Sequence, residues 1–289
     1  MRAISNYLRT ASAALRVLLV LTVITGVLYP LAITAIAQIP GLKSRADGSF
    51  VKRDGKVVGS GLIGQSFTDA KGNPLVQYFQ SRPSAAGAGY DPTASSASNL
   101  GPESIIDQPG RPSLLTQVCA RSRAIGRLEG VSGARPFCTR DGVGAVLAVF
   151  WSGPGYHGHV VRAVSLDEPC PATPFRAHYR GAPVQCRRSG VDYAAGQVVP
   201  IRGSAPSHPA VPADAVTASG SGLDPEISPA YARLQEARVA KARGITVAQV
   251  ADFVDEYEKS RDLGVFGEAR VNVLRLNLAL DARYPYRGN

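Results

Sequence analysis

The chain has 289 residues, with 32 Lys and Arg against 22 Asp and Glu for a net charge of +10, and 45% hydrophobic residues. That length supplies apolar surface for one or two cored domains, and a charged fraction of only 19% excludes a disordered polyelectrolyte or a coiled coil. The 30 Gly and 21 Pro follow no period, which excludes a collagen-like chain.

No charge lies between Arg16 and Lys43, and the 26 residues of that window would span about 39 Å as a helix. A bilayer core is about 30 Å thick, so residues 17–39 are read as one transmembrane helix, preceded by a cytoplasmic segment, 1–16. Pro30 predicts a kink near Gly26–Tyr29. Gly26 with Ala32 and Ala35 presents small residues that permit close approach of another membrane helix, so Gly26, Tyr29 and Pro30 are the candidate membrane-helix contacts. A cleaved secretory signal is the alternative, since Arg2, Arg9 and Arg16 form a basic start and Ala35-Ile36-Ala37 precedes Gln38 as a cleavage site would. The apolar run is longer than a usual signal core, and Pro30 sits seven residues before that cut, which favours a retained anchor. Basic residues flank both ends, with Lys43, Arg45, Lys52 and Arg53 after the helix, but long domains translocate regardless of charge. The reading is a single-pass protein of the plasma membrane, with residues 40–289 extracytoplasmic.

Phe50–Val58 places Asp54-Gly55 between two β-prone runs and predicts a hairpin with a type I′ turn. From Ile63 to Pro102 the chain reads as ordered loop, because Tyr78, Phe79 and Tyr90 recur at intervals and need packing partners. Residues 111–213 hold every cysteine, every histidine and the single Trp, and read as an inserted subdomain ending in the Gly203–Ala213 connection. Within it, Gly144–Val149 and Val160–Val164 are candidate strands. Cys119, Cys138, Cys170 and Cys186 fall within 68 residues and show no C-x-x-C spacing. In a translocated domain they predict two structural disulfides, with three possible connectivities. Further on, Ser228 with Pro229 opens a helix that Gly244 closes, and Thr246 with Gln249 forms a capping box for the next. Val250, Phe253, Val254 and Tyr257 make an apolar helical stripe. Leu274, Leu276, Leu278 and Leu280 alternate with less apolar residues and favour a half-buried strand, with a short helix as the alternative. The fold class expected is α+β: one N-terminal transmembrane helix, then an extracytoplasmic domain carrying a cysteine-containing insert.

No P-loop, G-x-S-x-G elbow, H-E-x-x-H or G-x-G-x-x-G string occurs. The D-K-T-G string that a P-type ATPase phosphorylates is missing too, so this chain is not itself such a pump. His157 and His159 have no third ligand at recognisable spacing, and the pairs Asp167/Glu168 and Asp255/Glu256 are expected to be solvated. No catalytic residue and no metal ligand is therefore assigned, and no covalent cofactor. Residues 1–45 hold five basic and no acidic groups, leaving 27 basic and 22 acidic in the remainder. A body so mildly basic, without Lys/Arg blocks interleaved with aromatics, is not expected to bind nucleic acid.

Several strings in order resemble the C subunit of the Kdp-type potassium-transporting ATPase, the KdpC family. They are Thr25-Gly26-Val27-Leu28-Tyr29-Pro30-Leu31, Ile63-Gly64-Gln65-Ser66-Phe67, Tyr78-Phe79, Arg82-Pro83-Ser84-Ala85 and Ser98-Asn99-Leu100-Gly101-Pro102. They continue with Ser221-Gly222-Leu223-Asp224-Pro225, Ile227-Ser228-Pro229, Arg238-Val239-Ala240-Lys241-Ala242-Arg243 and Arg270-Val271-Asn272-Val273-Leu274. Together they cover about residues 17–102 and 211–281. The departures are the long 111–213 insert, Ser96-Ala97 where Gly-Gly is common, and Ala269 where Pro is usual. The resemblance implies a non-catalytic accessory subunit of an ATP-driven potassium uptake complex. Its partners would be a channel-like potassium-binding subunit, an ATP-hydrolysing P-type subunit, a small additional membrane subunit and the lipid bilayer. The resemblance further implies a catalytic chaperone that raises the ATP affinity of the hydrolysing subunit, with Gln235 at the position of a helix glutamine implicated in nucleotide contact. A body outside the membrane could not reach cytoplasmic ATP, which favours a structural role for the subunit and for Gln235. A secreted or tethered binding module without pump partners is the alternative function.

Overall fold

The computed structural model describes residues 2–288, which divide after Leu62 into two compact units. The first begins with α1 (Arg2–Val23), a π-helical turn (Ile24–Leu28) and α2 (Tyr29–Ala37). The stretch Ile4–Ala37 has a mean hydropathy of 2.3 over its most apolar window and is long enough to cross a bilayer. The disturbance expected near Gly26–Tyr29 takes the form of that π turn. The ring of Pro30 would collide with the carbonyl four residues back, and a widened turn moves that carbonyl aside. The short α3 (Lys43–Ala46) leads into the hairpin β1 (Phe50–Arg53) and β2 (Lys56–Ser60). Asp54 and Gly55 take φ of 50° and 77°, the left-handed pair that a type I′ turn requires.

The second unit is α+β. Its long α4 (Leu114–Glu129) is capped by Ser113, whose hydroxyl accepts from the Thr116 N–H. A five-stranded mixed sheet follows, built from β3 (Val146–Gly153), β4 (His157–Pro169), β5 (His178–Tyr179), β6 (Ala182–Arg187) and β7 (Gln197–Pro200). Its order is β5-β6-β4-β3-β7, with β4 and β6 parallel and the other pairs antiparallel. Alternation along β3 sends Leu147 and Val149 to one apolar layer and Val146 and Ala148 to the other, so the sheet is covered on both faces. The cysteines pair as Cys119–Cys138, tying α4 to the approach to β3, and Cys170–Cys186, tying the end of β4 to β6.

After the one-turn α5 (Ala213–Val216), the helical core comprises α6 (Pro229–Arg243), α7 (Val247–Tyr257) and α8 (Val273–Arg283). The small strands β8 (Glu226–Ile227), β9 (Glu258–Lys259) and β10 (Arg270–Asn272) pair in the order β8-β10-β9. The Ser228 hydroxyl accepts from the Tyr231 N–H, Gly244 closes α6 at φ 66°, and Thr246 with Gln249 forms both bonds of the capping box. Val250 and Val254 are buried, and Phe253 and Tyr257 pack against them at the edge of the core.

Three expectations need correction. The leucines from Leu274 to Leu280 lie on a helix: burial of Val273, Leu276, Asn277 and Leu280 follows the i, i+3, i+4, i+7 spacing, and Asn272 caps the Arg275 N–H. The apparent period of two arose because Leu278 flanks the buried stripe. The boundary drawn at residue 111 falls inside the helical core, since Val118 and Ile125 of α4 pack with α6, α7 and α8 residues, as does Val211 near the other boundary. Finally, Asp167 and Glu168 are 2% and 5% exposed, not solvated, because β4 is an inner strand. Glu168 accepts from the Ser165 hydroxyl (2.7 Å) and the Phe175 N–H (2.9 Å), whereas one Asp167 oxygen accepts from the Asp107 N–H (2.9 Å) and the other has no partner.

Burial, joined by the nearby Asp107 and Glu168 charges and opposed by the Asp107 N–H and Arg187, pushes the Asp167 carboxyl up to about 7. A carboxyl raised on folding stabilises fully below its unfolded value and loses that contribution as pH rises through its folded value. The melting temperature of wild type should therefore fall between pH 4 and pH 7, and Asp167→Asn should flatten that slope when melting is followed by circular dichroism. For the cysteines, denatured but unreduced protein should take up no alkylating reagent, by intact mass.

Candidate functional site

Helix side chains of the second unit converge on residues 76–80, a turn over Val76–Tyr78 that continues into Phe79 and Gln80 and belongs to no sheet. Such a segment must satisfy its backbone groups individually. Helix side chains do so here. The Gln235 carboxamide accepts from the Gln80 N–H (2.7 Å) and donates to the Gln80 carbonyl (3.2 Å). The Asn277 carboxamide does the same for Phe79, accepting at 2.8 Å and donating at 3.0 Å. Each amide thus imitates one rung of a β-ladder. Arg238 donates to the Val76 (2.7 Å) and Tyr78 (3.0 Å) carbonyls, and Arg243 to the Gln77 carbonyl (2.8 Å). Every carbonyl from Val76 to Gln80 therefore accepts a hydrogen bond from a side chain of α6 or α8.

The clamp is charge-compensated within itself. Arg238 pairs with Glu129 of α4 at 2.9 Å, and the two side chains are 8% and 1% exposed. Burial pushes the Glu129 carboxyl up, and the Arg238 guanidinium opposes that shift. Arg243 is wholly buried and pairs with Asp281 at 2.9 Å, while Asp281 also accepts from the Tyr78 hydroxyl at 3.0 Å. Buried pairs of this kind are costly to break singly, because the surviving charge has no solvent.

Gln235 is the sequence-assigned nucleotide contact. In the structure it is fully buried, its oxygen accepting from both the Gln80 N–H and Arg238 (2.8 Å) and its nitrogen donating to Gln80. Ser113, Asn277 and Arg243 were not singled out from sequence. The available signal was Gln235, Arg238 and Arg243 recurring on one helix while Asn277 and Asp281 stand four apart on another, which reads equally well as a solvated polar face.

The candidate membrane contacts lie elsewhere in the chain. Gly26, Tyr29 and Pro30 are exposed on the apolar helix. A Cβ placed on Gly26 would touch nothing closer than the Thr22 methyl, at 4.0 Å. The Thr25 and Thr34 hydroxyls donate back to the Leu21 (2.7 Å) and Pro30 (2.8 Å) carbonyls, so these two polar groups are bonded within the helix. His157 and His159 are exposed at the start of β4. The structure places the anchor residues in the first unit and Gln235 and the four cysteines in the second.

Comparison with known proteins gives a consistent result. The family model described as KdpC, the K+-transporting ATPase c chain, matches residues 11–130 and 191–282. The stretch between the two matched segments, 131–190, contains β3, β4 and β6, while α4 falls within the match. Potassium-transporting ATPase KdpC subunits are similar along nearly the whole chain. That of Kineococcus radiotolerans is 38% identical over 98% of this chain and 98% of its own. That of Rhodospirillum rubrum is 37% identical over 96% of this chain and 98% of its own, and that of Myxococcus xanthus 40% identical over 95% and 89%.

Replacing Gln235 by Ala would strand the Gln80 N–H and carbonyl in a buried site and remove a partner of Arg238. Such a change is expected to cost about 2–4 kcal/mol, read as a lower urea midpoint of the full chain in detergent with an unchanged m-value.

Proposed function

Because the chain belongs to the KdpC family, the c chain of the K+-transporting ATPase, we propose that it is a non-catalytic accessory subunit that holds this pump together. The reading rests chiefly on one observation. The clamp engages the Gln235 carboxamide at both its oxygen and its nitrogen in holding residues 76–80, so this family-implied contact is committed to the fold rather than aimed at a substrate. Potassium is then bound and ATP hydrolysed by partners, a channel-like subunit and a P-type subunit, with a small further membrane subunit beside them. Selective potassium sites use rings of backbone carbonyls, which belong in a pore-forming chain.

In this reading α1 and α2 form a retained single span of the plasma membrane, with the N-terminus cytoplasmic and residues 40–289 outside. The π turn and Gly26 present bare backbone to a neighbouring helix, which is how membrane helices approach closely when small residues line the contact. Any effect on ATP affinity is transmitted through the hydrolysing partner rather than by nucleotide contact. A ligand on Gln235 would have to displace three hydrogen bonds in a site without solvent.

Native mass spectrometry of the tagged chain, gently extracted with detergent, should give the full-length mass bound to larger membrane subunits. Potassium-stimulated ATPase activity should accompany it. A lone species beginning at Gln38 would sink the proposal and favour the secreted module. Gly26→Leu meets no clash within its own helix, so it should leave the body's melting unchanged while lowering recovery of the complex severalfold; undiminished co-purification would remove the helix-contact role.

A further inference from the structure

Helix α4, the loop 131–142 and the segment 202–206 that follows β7 line a cavity of about 550 Å3 with five arginines: Arg123, Arg127, Arg135, Arg140 and Arg202. We propose that this cavity binds an oxyanion of the phosphate class. The arginines of the helical core are neutralised by carboxylates, as Arg238 is by Glu129 and Arg243 by Asp281. In the cavity only Arg123 has one, Asp141 at 3.4 Å, which is not itself part of the lining. Among the described residues, the Arg127 and Arg140 side chains make no hydrogen bond or ion pair. Arg202 donates only to the Ala205 carbonyl (3.2 Å).

The floor is built rather than accidental. Gly126 and Gly133 lie so close that a Cβ on Gly133 would stand 2.6 Å from the Ser122 carbonyl, which lets residues 131–135 run directly against α4. Arg135 is thereby laid over that helix, bonded to the Ser122 hydroxyl (3.4 Å) and to the Val211 carbonyl. Arg123 is held from the other side, donating to the backbone carbonyl of Asp141. The Cys119–Cys138 disulfide crosses the same wall and fixes the spacing between the helix that carries Arg123 and Arg127 and the loop that carries Arg135 and Arg140.

Four guanidinium groups without carboxylates repel one another, and a polyvalent anion relieves that repulsion better than a single carboxylate. The planar fork of donors on each arginine matches phosphate oxygens two at a time. The cavity contains no lysine, so its recognition is by directed forks rather than point charges. Thr139 and Ser204 add hydroxyls, and Val131 and Phe175 add apolar walls that would flank the non-ionic part of a phosphate ester. Arg123, Arg127 and Arg202 lie within the family-matched residues, whereas Arg135 and Arg140 lie in the 131–190 stretch, so the site exists only where the two parts meet.

The ligand could be a soluble phosphate compound or the headgroup of a phospholipid. Both are tested on the full chain in nanodiscs of neutral lipid by calorimetric titration at low ionic strength, one arm with pyrophosphate and the other with short-chain phosphatidic acid. Saturable one-to-one binding that weakens as salt is raised supports the proposal. Heat from pyrophosphate alone assigns a soluble ligand, and preferential binding of the lipid assigns a headgroup. Arg140→Gln with Arg202→Gln, both exposed at the rim, should weaken binding at least tenfold without changing the melting temperature. The charge-matched control Arg188→Gln with Arg287→Gln, outside the cavity, should bind as wild type. No heat in either arm, or equal weakening by the two double variants, would overturn it, the second result showing only general attraction to a basic protein.

Discussion

A stretch of backbone that enters the core with no strand beside it is the constraint on which the body of this protein turns. Residues 76–80 turn inward from the exposed Val76 to Phe79, which is completely buried, and an amide there cannot be left without a partner. The solution is to build the missing ladder from side chains: carboxamides at Gln235 and Asn277 where both N–H and carbonyl need bonding, and guanidinium groups at Arg238 and Arg243 where only carbonyls do. Glu129 and Asp281 then serve to keep those guanidiniums from being buried unpaired charges. Because Glu129 is the last residue of α4, the same network also fastens that helix to α6.

That fastening explains how a chain can carry a long sheet-forming insertion without disturbing its core. Helix α4 is shared: one side packs Val118 and Ile125 into the helical layer, and Cys119 reaches to Cys138 at the base of the sheet. The sheet itself has two apolar faces and its own disulfide, and one of those faces packs against Leu115 of α4 and the preceding Ile105 and Ile106. The arginine cavity lies along α4 as well, with the loop 131–142 and the segment 202–206 supplying the rest of its lining.

The apolar helix follows different rules. In the body the buried carboxamides of Gln235 and Asn277 find partners across the fold, whereas Thr25 and Thr34 return their hydroxyls to their own helix and the side chains face outward. That arrangement suits a segment whose surroundings offer no hydrogen bonds. Gly26 and Pro30, one turn apart, disrupt regular helix for separate reasons, one by lacking a side chain and the other by lacking an N–H, and the π turn contains Gly26 and ends two residues before Pro30.

Much was determined by the sequence alone, and where it was, the cause is local. A charge-free run long enough to cross a bilayer, an Asp-Gly turn, a Ser-Pro helix start, a Thr/Gln capping box and the ordered strings of the KdpC family depend on neighbours a few residues apart. The leucines from Leu274 to Leu280 show the limit: seven residues sample both periods poorly, and only the Asn272 cap and the packing of Leu276 and Leu280 decided for a helix. Asp167 and Glu168 were misjudged because adjacency in sequence says nothing of whether a strand lies at the edge or the middle of a sheet. Gln235 illustrates the same point most sharply. Its helix position was readable, but its partner stands 155 residues earlier in the chain. Only tertiary structure brings a polar side chain that could face water against a backbone that cannot.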